Sequence, residues 1–120
     1  MSEATKTFLA VYLGSPSAME AWRNKSEDER KALQTKGMAA WNAWAEKHKA
    51  AIVSRGAPLG RTKRVSAAGV AEVRNAMAAY TVVQADSHEA AAAIFADHPH
   101  FSMFPGEAIE VMECIPIPGR

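Results

Sequence analysis

Residues 7–13 read TFLAVYL. Both sets of alternate positions are apolar: Phe8, Ala10 and Tyr12 on one side, Leu9, Val11 and Leu13 on the other. A short β-branched and aromatic run of this kind is a strand buried on two faces, and it belongs in the centre of a sheet. The remaining elements have to supply a cover for each face.

Downstream, GSPSAMEAW breaks the strand. Ser17 and Glu20 have capping-box spacing and Pro16 suits a helix entrance, so a short helical turn is expected here. A second capping box, Ser26 with Glu29, opens a long helix predicted from Glu27 to about Lys49. Along it Leu33, Gly37, Ala40, Trp41, Trp44 and His48 recur at steps of three or four and form one stripe facing the sheet. Gly37 marks close backbone approach or filler. Trp41 and Trp44 read as core, or as an aromatic wall at the edge of a cleft.

Ile52–Leu59, IVSRGAPL, is expected as a second strand running into a turn. Residues 61–75 alternate charged and apolar side chains around SAAG and predict an exposed hairpin. Ala79–Ala85 is the third main strand. It is followed by a helix capped by Asp86 or Ser87, with Ala90, Ala91, Ile94 and Phe95 buried and its end near Asp97. Ala108–Ile115 is the fourth strand, closed off by Pro116 and Pro118. The order βαββαβ, with an extra hairpin excursion, predicts an α+β, ferredoxin-like domain with an antiparallel four-stranded sheet and helices on one face. One domain fits residues 1–120, with residues 1–6 a flexible N-terminus. The second sheet face is apolar as well, so a homodimer through that open face, a dimeric α/β barrel, is the expected cover.

The chain has 14 Lys and Arg against 13 Asp and Glu. So even a balance offers no field for nucleic acid or an anionic membrane, and a small neutral partner fits it better. The lone Cys114 and the absence of an apolar run in MSEATKTF point to a cytoplasmic setting. Cys114 is expected as a small buried hydrophobe.

Residues 96–106, ADHPHFSMFPG, hold the chemistry-bearing side chains. Pro99 forces His98 out of the helical region, so the helix ends there. His98 could serve as a cation at that terminus. Alternatively, His98 or His100 faces a cleft as a neutral base oriented by Asp97, with Phe101, Met103 and Phe104 anchoring the loop. Two histidines do not make a metal site, and a third ligand would have to come from His48, His88 or Glu107, so no metal is expected. Glu110, within an apolar strand, is a candidate paired or proton-donating carboxylate if buried. Tyr12 and Tyr80 carry hydroxyls on central strands. Tyr12, Trp41, Trp44 and Glu110 are the candidate ligand contacts. Nucleotide, hydrolase and zincin fingerprints are absent, so no cofactor is expected.

The segments WNAWAEKHKAAIVSRGAPLG, AAYTVVQADSHEAAAAIFADHPH and PGEAIEVMECIP together resemble the YCII-related (DGPF-type) domain from Phe8 to Ile115. GAPLG, the Tyr80 strand followed by ADS and an alanine-rich helix, HPH and IEV are the most specific pieces. The resemblance implies two ferredoxin-like subunits pressed sheet to sheet, and either small-molecule binding or cofactor-free lyase or isomerase chemistry on small aromatic or carbonyl compounds. The family's first-helix histidine has no counterpart here, Trp41 or Asn42 standing near its place. The aspartate of its Asp-Pro-Phe motif matches Asp97, with His98 inserted before Pro99, and the DGPF tetrapeptide is replaced by AAGV or its neighbours.

Overall fold

The computed structural model describes residues 5–101 and 106–118. Strand β1 spans Lys6–Leu13. Helix α1 (Pro16–Arg23) follows, capped by Ser15, whose Oγ accepts from the Ala18 amide at 3.1 Å. The cap is therefore Ser15 and not the expected Ser17, because Pro16 takes the first helical position, which lacks a donor to satisfy. Helix α2 (Glu27–Lys47) carries the full capping box of Ser26 and Glu29. Strand β2 is only Ile52–Ser54, since Gly56 then adopts a left-handed φ of 72° and turns the chain. Strands β3 (Thr62–Ser66) and β4 (Gly69–Val73) form a separate hairpin, and β5 (Met77–Ala85) returns to the main sheet. Helix α3 (His88–Ile94), capped by Ser87, leads through the 3-10 turn Pro99–Phe101 to strand β6 (Ala108–Glu113).

The sheet order is β2-β5-β1-β6, with all neighbours antiparallel. Strand β1 is central, as TFLAVYL requires. Its pairing opposes Phe8 to Val83, Ala10 to Thr81 and Tyr12 to Ala79 on one side, and to Glu113, Val111 and Ile109 on the other. The face carrying Phe8, Ala10 and Tyr12 is covered by α2 and α3. Trp44, Ala45, Ala91 and Phe95 complete this core, with Trp41, Ile52, Ile94, Ile109 and Val111 packed at its edge. Ala90 is exposed, contrary to the expected stripe, because the short α3 and its cap turn Ala91, Ile94 and Phe95 inward and leave Ala90 on the outer side. Cys114 is also exposed, since it lies one residue past the end of β6.

Leu9, Val11 and Leu13 point to the opposite face together with Tyr80, Val82 and Met112; there Val11 is buried, Leu9, Leu13, Tyr80 and Val82 are half-buried and Met112 is exposed. The shortest dimension, 18 Å, leaves room for one sheet and one helix layer. Met103 and Phe104, expected as loop anchors, lie outside the described residues, and Phe101 is exposed.

Trp44 is enclosed and its indole N–H donates to the Ile94 carbonyl at 3.0 Å, tying α2 to the end of α3. Trp41 is half-buried at the sheet's edge. Replacing Trp44 with alanine should therefore cost about 3–5 kcal/mol, and Trp41→Ala distinctly less. Urea unfolding read by circular dichroism checks this ranking. A larger loss at Trp41 would contradict the packing described.

Candidate functional site

The candidate site lies where β1 ends and β5 begins. Tyr12, one residue before the end of β1, is fully enclosed. Its hydroxyl is 2.7 Å from Thr81 Oγ1, which in turn donates to the Arg55 carbonyl at 3.1 Å. A carbonyl can only accept, so the Thr81 proton goes to Arg55 and Tyr12 must donate to Thr81. Burial pushes the Tyr12 phenol up to about 12 against the opposing pull of the Thr81 hydrogen bond. At neutral pH it is a protonated anchor. The 55–60 segment can lie against β5 because residue 56 is glycine. Its φ is left-handed, and any Cβ there would run into the Tyr80 carbonyl.

Above Tyr12 stand the rings of the HPH turn. The His98 ring lies 4.3 Å from Trp41 and 4.4 Å from Trp44, both edge-on, and 4.8 Å from Tyr12. Its Nδ1 accepts from the His100 amide at 2.9 Å, so the neutral ring carries its proton on Nε2, which is buried without a hydrogen-bond partner. Burial, reinforced by the nearby His100 and opposed by Asp97, lowers the His98 pKa to about 3. The ring is neutral and closed off. A cationic cap at the helix end is not what this environment favours.

His100 is also buried, but it forms part of the cleft wall. Its Nε2 lies 2.9 Å from the Leu13 carbonyl and donates to it, leaving the lone pair of the neutral ring on Nδ1. Burial lowers its pKa while the carbonyls of Leu13 and Ala108 pull the other way. Gly106 closes over the ring, since any Cβ there would meet its Nε2 and Cε1.

The other sequence candidates are dispersed. Asp97 is exposed and accepts from Lys47 Nζ at 3.3 Å, and that contact lowers its pKa. It is thus engaged away from both imidazoles. Glu110 is exposed on the open sheet face, opposite Val11. Trp44 sits in the core beside Phe95 and His48, while Trp41 meets Tyr12 edge-on at 4.9 Å and reaches the cleft. The structure thus brings Tyr12, Trp41 and His100 to the cleft, packs His98 behind them against Trp44, and leaves Asp97 and Glu110 outside. Among the described residues, no group of three or more His, Cys, Asp or Glu could hold a metal ion.

The cleft has a volume of about 1180 Å³. Trp41 and Tyr80 supply aromatic surface in front of the enclosed Tyr12, Met19, Met38 and Met77 add flexible apolar surface, and Arg23, Asn42, Arg55 and Arg74 supply polar groups. Sequence suggests Arg55 only as a partner for Glu110, whereas it bonds Asn42, and gives no sign of Arg23 or Arg74, because residues 23, 55 and 74 meet only in the fold. The sole local signal was the Gly56 and Pro58 punctuation beside Arg55. No helix among the described residues is long and apolar enough to cross a membrane.

No protein-family model matches the chain, and no curated protein is similar to it in sequence. Among solved structures it is similar to 5-chloro-2-hydroxyhydroquinone dehydrochlorinase from Burkholderia phenoliruptrix, solved in complex with 2,5-dihydroxybenzoquinone. The TM-score is 0.51 at 18% identity, over 88% of this chain and 89% of that one. This likeness supports the α+β, ferredoxin-like fold.

The two buried imidazoles couple stability to pH. Both pKa values are depressed on folding, so below the unfolded value near 6.5 the unfolded chain binds more protons than the folded one. Stability is full above pH 6.5 and falls as the pH drops toward 3, with His98 alone contributing up to about 1.4 kcal/mol per pH unit. Urea unfolding between about pH 7 and 5 should show this slope, and His98→Gln should reduce it. An unchanged slope in that variant would mean that His98 is not buried neutral.

Proposed function

We propose that this is a YCII-related protein that binds a small aromatic molecule in the cleft at the end of the sheet, as a homodimer formed through the open sheet face. The observation that carries the reading is the cleft itself, with Trp41 and Tyr80 beside a few polar groups. Ligand sites of small molecules have this make-up, mostly apolar and aromatic with sparse orienting groups. The fold neighbour is a protein solved with 2,5-dihydroxybenzoquinone, a small planar ring compound, which favours the same reading. Binding without catalysis is preferred because His98 is enclosed and Asp97 is held by Lys47.

The dimer is favoured by the apolar side chains of Leu9, Val11, Leu13, Val82 and Met112, which share the sheet face opposite the helices and of which all but Val11 keep exposed area. Glu110 does not oppose it, since β6 is an edge strand and its carboxylate falls at the rim, where interfaces are wet. An exposed, free Cys114 suits reducing, cytoplasmic surroundings.

A second reading, a cofactor-free lyase or isomerase, is favoured by one observation. His100 lines the cleft beside Tyr12 and Trp41, where an imidazole could take a proton from a bound ring compound.

Light scattering should give twice the chain mass of 12.9 kDa. A monomer at micromolar concentration would remove the dimer. Calorimetric titration with 2,5-dihydroxybenzoquinone should show saturable binding that Trp41→Leu weakens about tenfold, as loss of one aromatic contact implies. No binding by the native protein would overturn the cleft reading. Chloride release from 5-chloro-2-hydroxyhydroquinone, abolished by His100→Gln with binding kept, would instead establish the second reading.

A further inference from the structure

The charge of the chain is nearly balanced, 14 basic residues against 13 acidic, yet the cleft is not. Arg23 from the last turn of α1, Arg55 from the segment after β2, and Arg74 from the link into β5 all line it. No aspartate or glutamate does so among the described residues. The four ion pairs found among those residues use Lys6, Lys47, Lys49 and Lys63. The three cleft arginines have no carboxylate partner there.

Arg55 is the best placed of the three. Its Nη2 donates to Asn42 Oδ1 at 2.7 Å, and its own carbonyl receives the Thr81 hydroxyl that holds Tyr12. The side chain is thus tied to α2 at one end and its backbone to the sheet at the other. A guanidinium bonded once to a neutral amide keeps further N–H donors available and its full charge uncompensated. Its planar fork matches a carboxylate with two parallel hydrogen bonds. Asn42 fixes the fork without neutralising it, which an aspartate in the same place would have done.

We propose that the cleft is an anion site for planar aromatic acids, with Arg55 as the carboxylate anchor, Arg23 and Arg74 adding positive field, and the ring lying against Trp41. This rests on the small-molecule reading given above and names the chemical class that the site takes. Three unpaired cations beside apolar walls discriminate by charge: an aromatic acid gains the Arg55 fork, and its amide, of the same shape, does not.

Titration calorimetry with 2-hydroxybenzoate and its neutral isostere 2-hydroxybenzamide tests this on the native protein. The acid should bind at least about tenfold more tightly than the amide, as one charge-assisted hydrogen-bond pair implies, and its affinity should fall with added sodium chloride. Arg55→Gln, at an exposed position, should bring the acid down to the amide's affinity and leave the amide unchanged. Equal binding of acid and amide by the native protein would overturn the anion site while keeping the aromatic cleft. Binding of neither would overturn both. A preference for the acid that survives in Arg55→Gln but is lost in Arg74→Gln would overturn Arg55 as the anchor.

Discussion

The enclosed side chain of Tyr12 ties together the Arg55 segment, Trp41 and the HPH turn, three of the parts from which the cleft is built. Its ring is the contact between sheet and helices, touching Trp41, Phe95, His98 and His100 at once. Its hydroxyl cannot be left unpaired in such a place without a cost of about 1–3 kcal/mol, and Thr81 on the neighbouring strand meets that need. Because Thr81 then passes its own proton to the Arg55 carbonyl, a core requirement fixes the segment that forms one wall of the cleft. Gly56 follows from the same constraint, since the chain must turn sharply and pass close to Tyr80 immediately after the anchored carbonyl.

The HPH turn illustrates how burial decides between roles that sequence leaves open. A histidine after a helix could be a cation capping carbonyls, a base, or a metal ligand. Packing His98 between two indoles and a phenol removes the solvent that would stabilise a charge, and a backbone amide occupies its Nδ1. What remains is a neutral aromatic body. His100, two residues on, is held by the end of β1 and reaches the cleft, so two residues of one tripeptide have unlike surroundings.

The scaffold was legible because local patterns agreed with one another. TFLAVYL marked the central strand, Ser26 with Glu29 marked the start of α2, and the polar 61–75 stretch marked the hairpin. Errors arose where a single residue overrode a run: Pro16 moved the cap to Ser15, and Gly56 ended β2 five residues before Leu59 was reached. The candidate site was legible only in part. Tyr12, Trp41 and His100 stood out as aromatic or titratable residues in apolar settings. Arg23, Arg55 and Arg74 looked like ordinary surface cations within a balanced composition, and nothing in their spacing announces a common cleft.

The account holds that an aromatic acid lies in the cleft, with its ring beside Trp41 and its charge on Arg55. The most direct measurement is a crystal structure of the native protein grown with 2-hydroxybenzoate. The expected result is ring density against Trp41, a carboxylate within hydrogen-bonding distance of the Arg55 guanidinium, and His98 still enclosed against Trp44. Density seated on the open face of Leu9, Val11 and Val82, with the cleft empty, would contradict it.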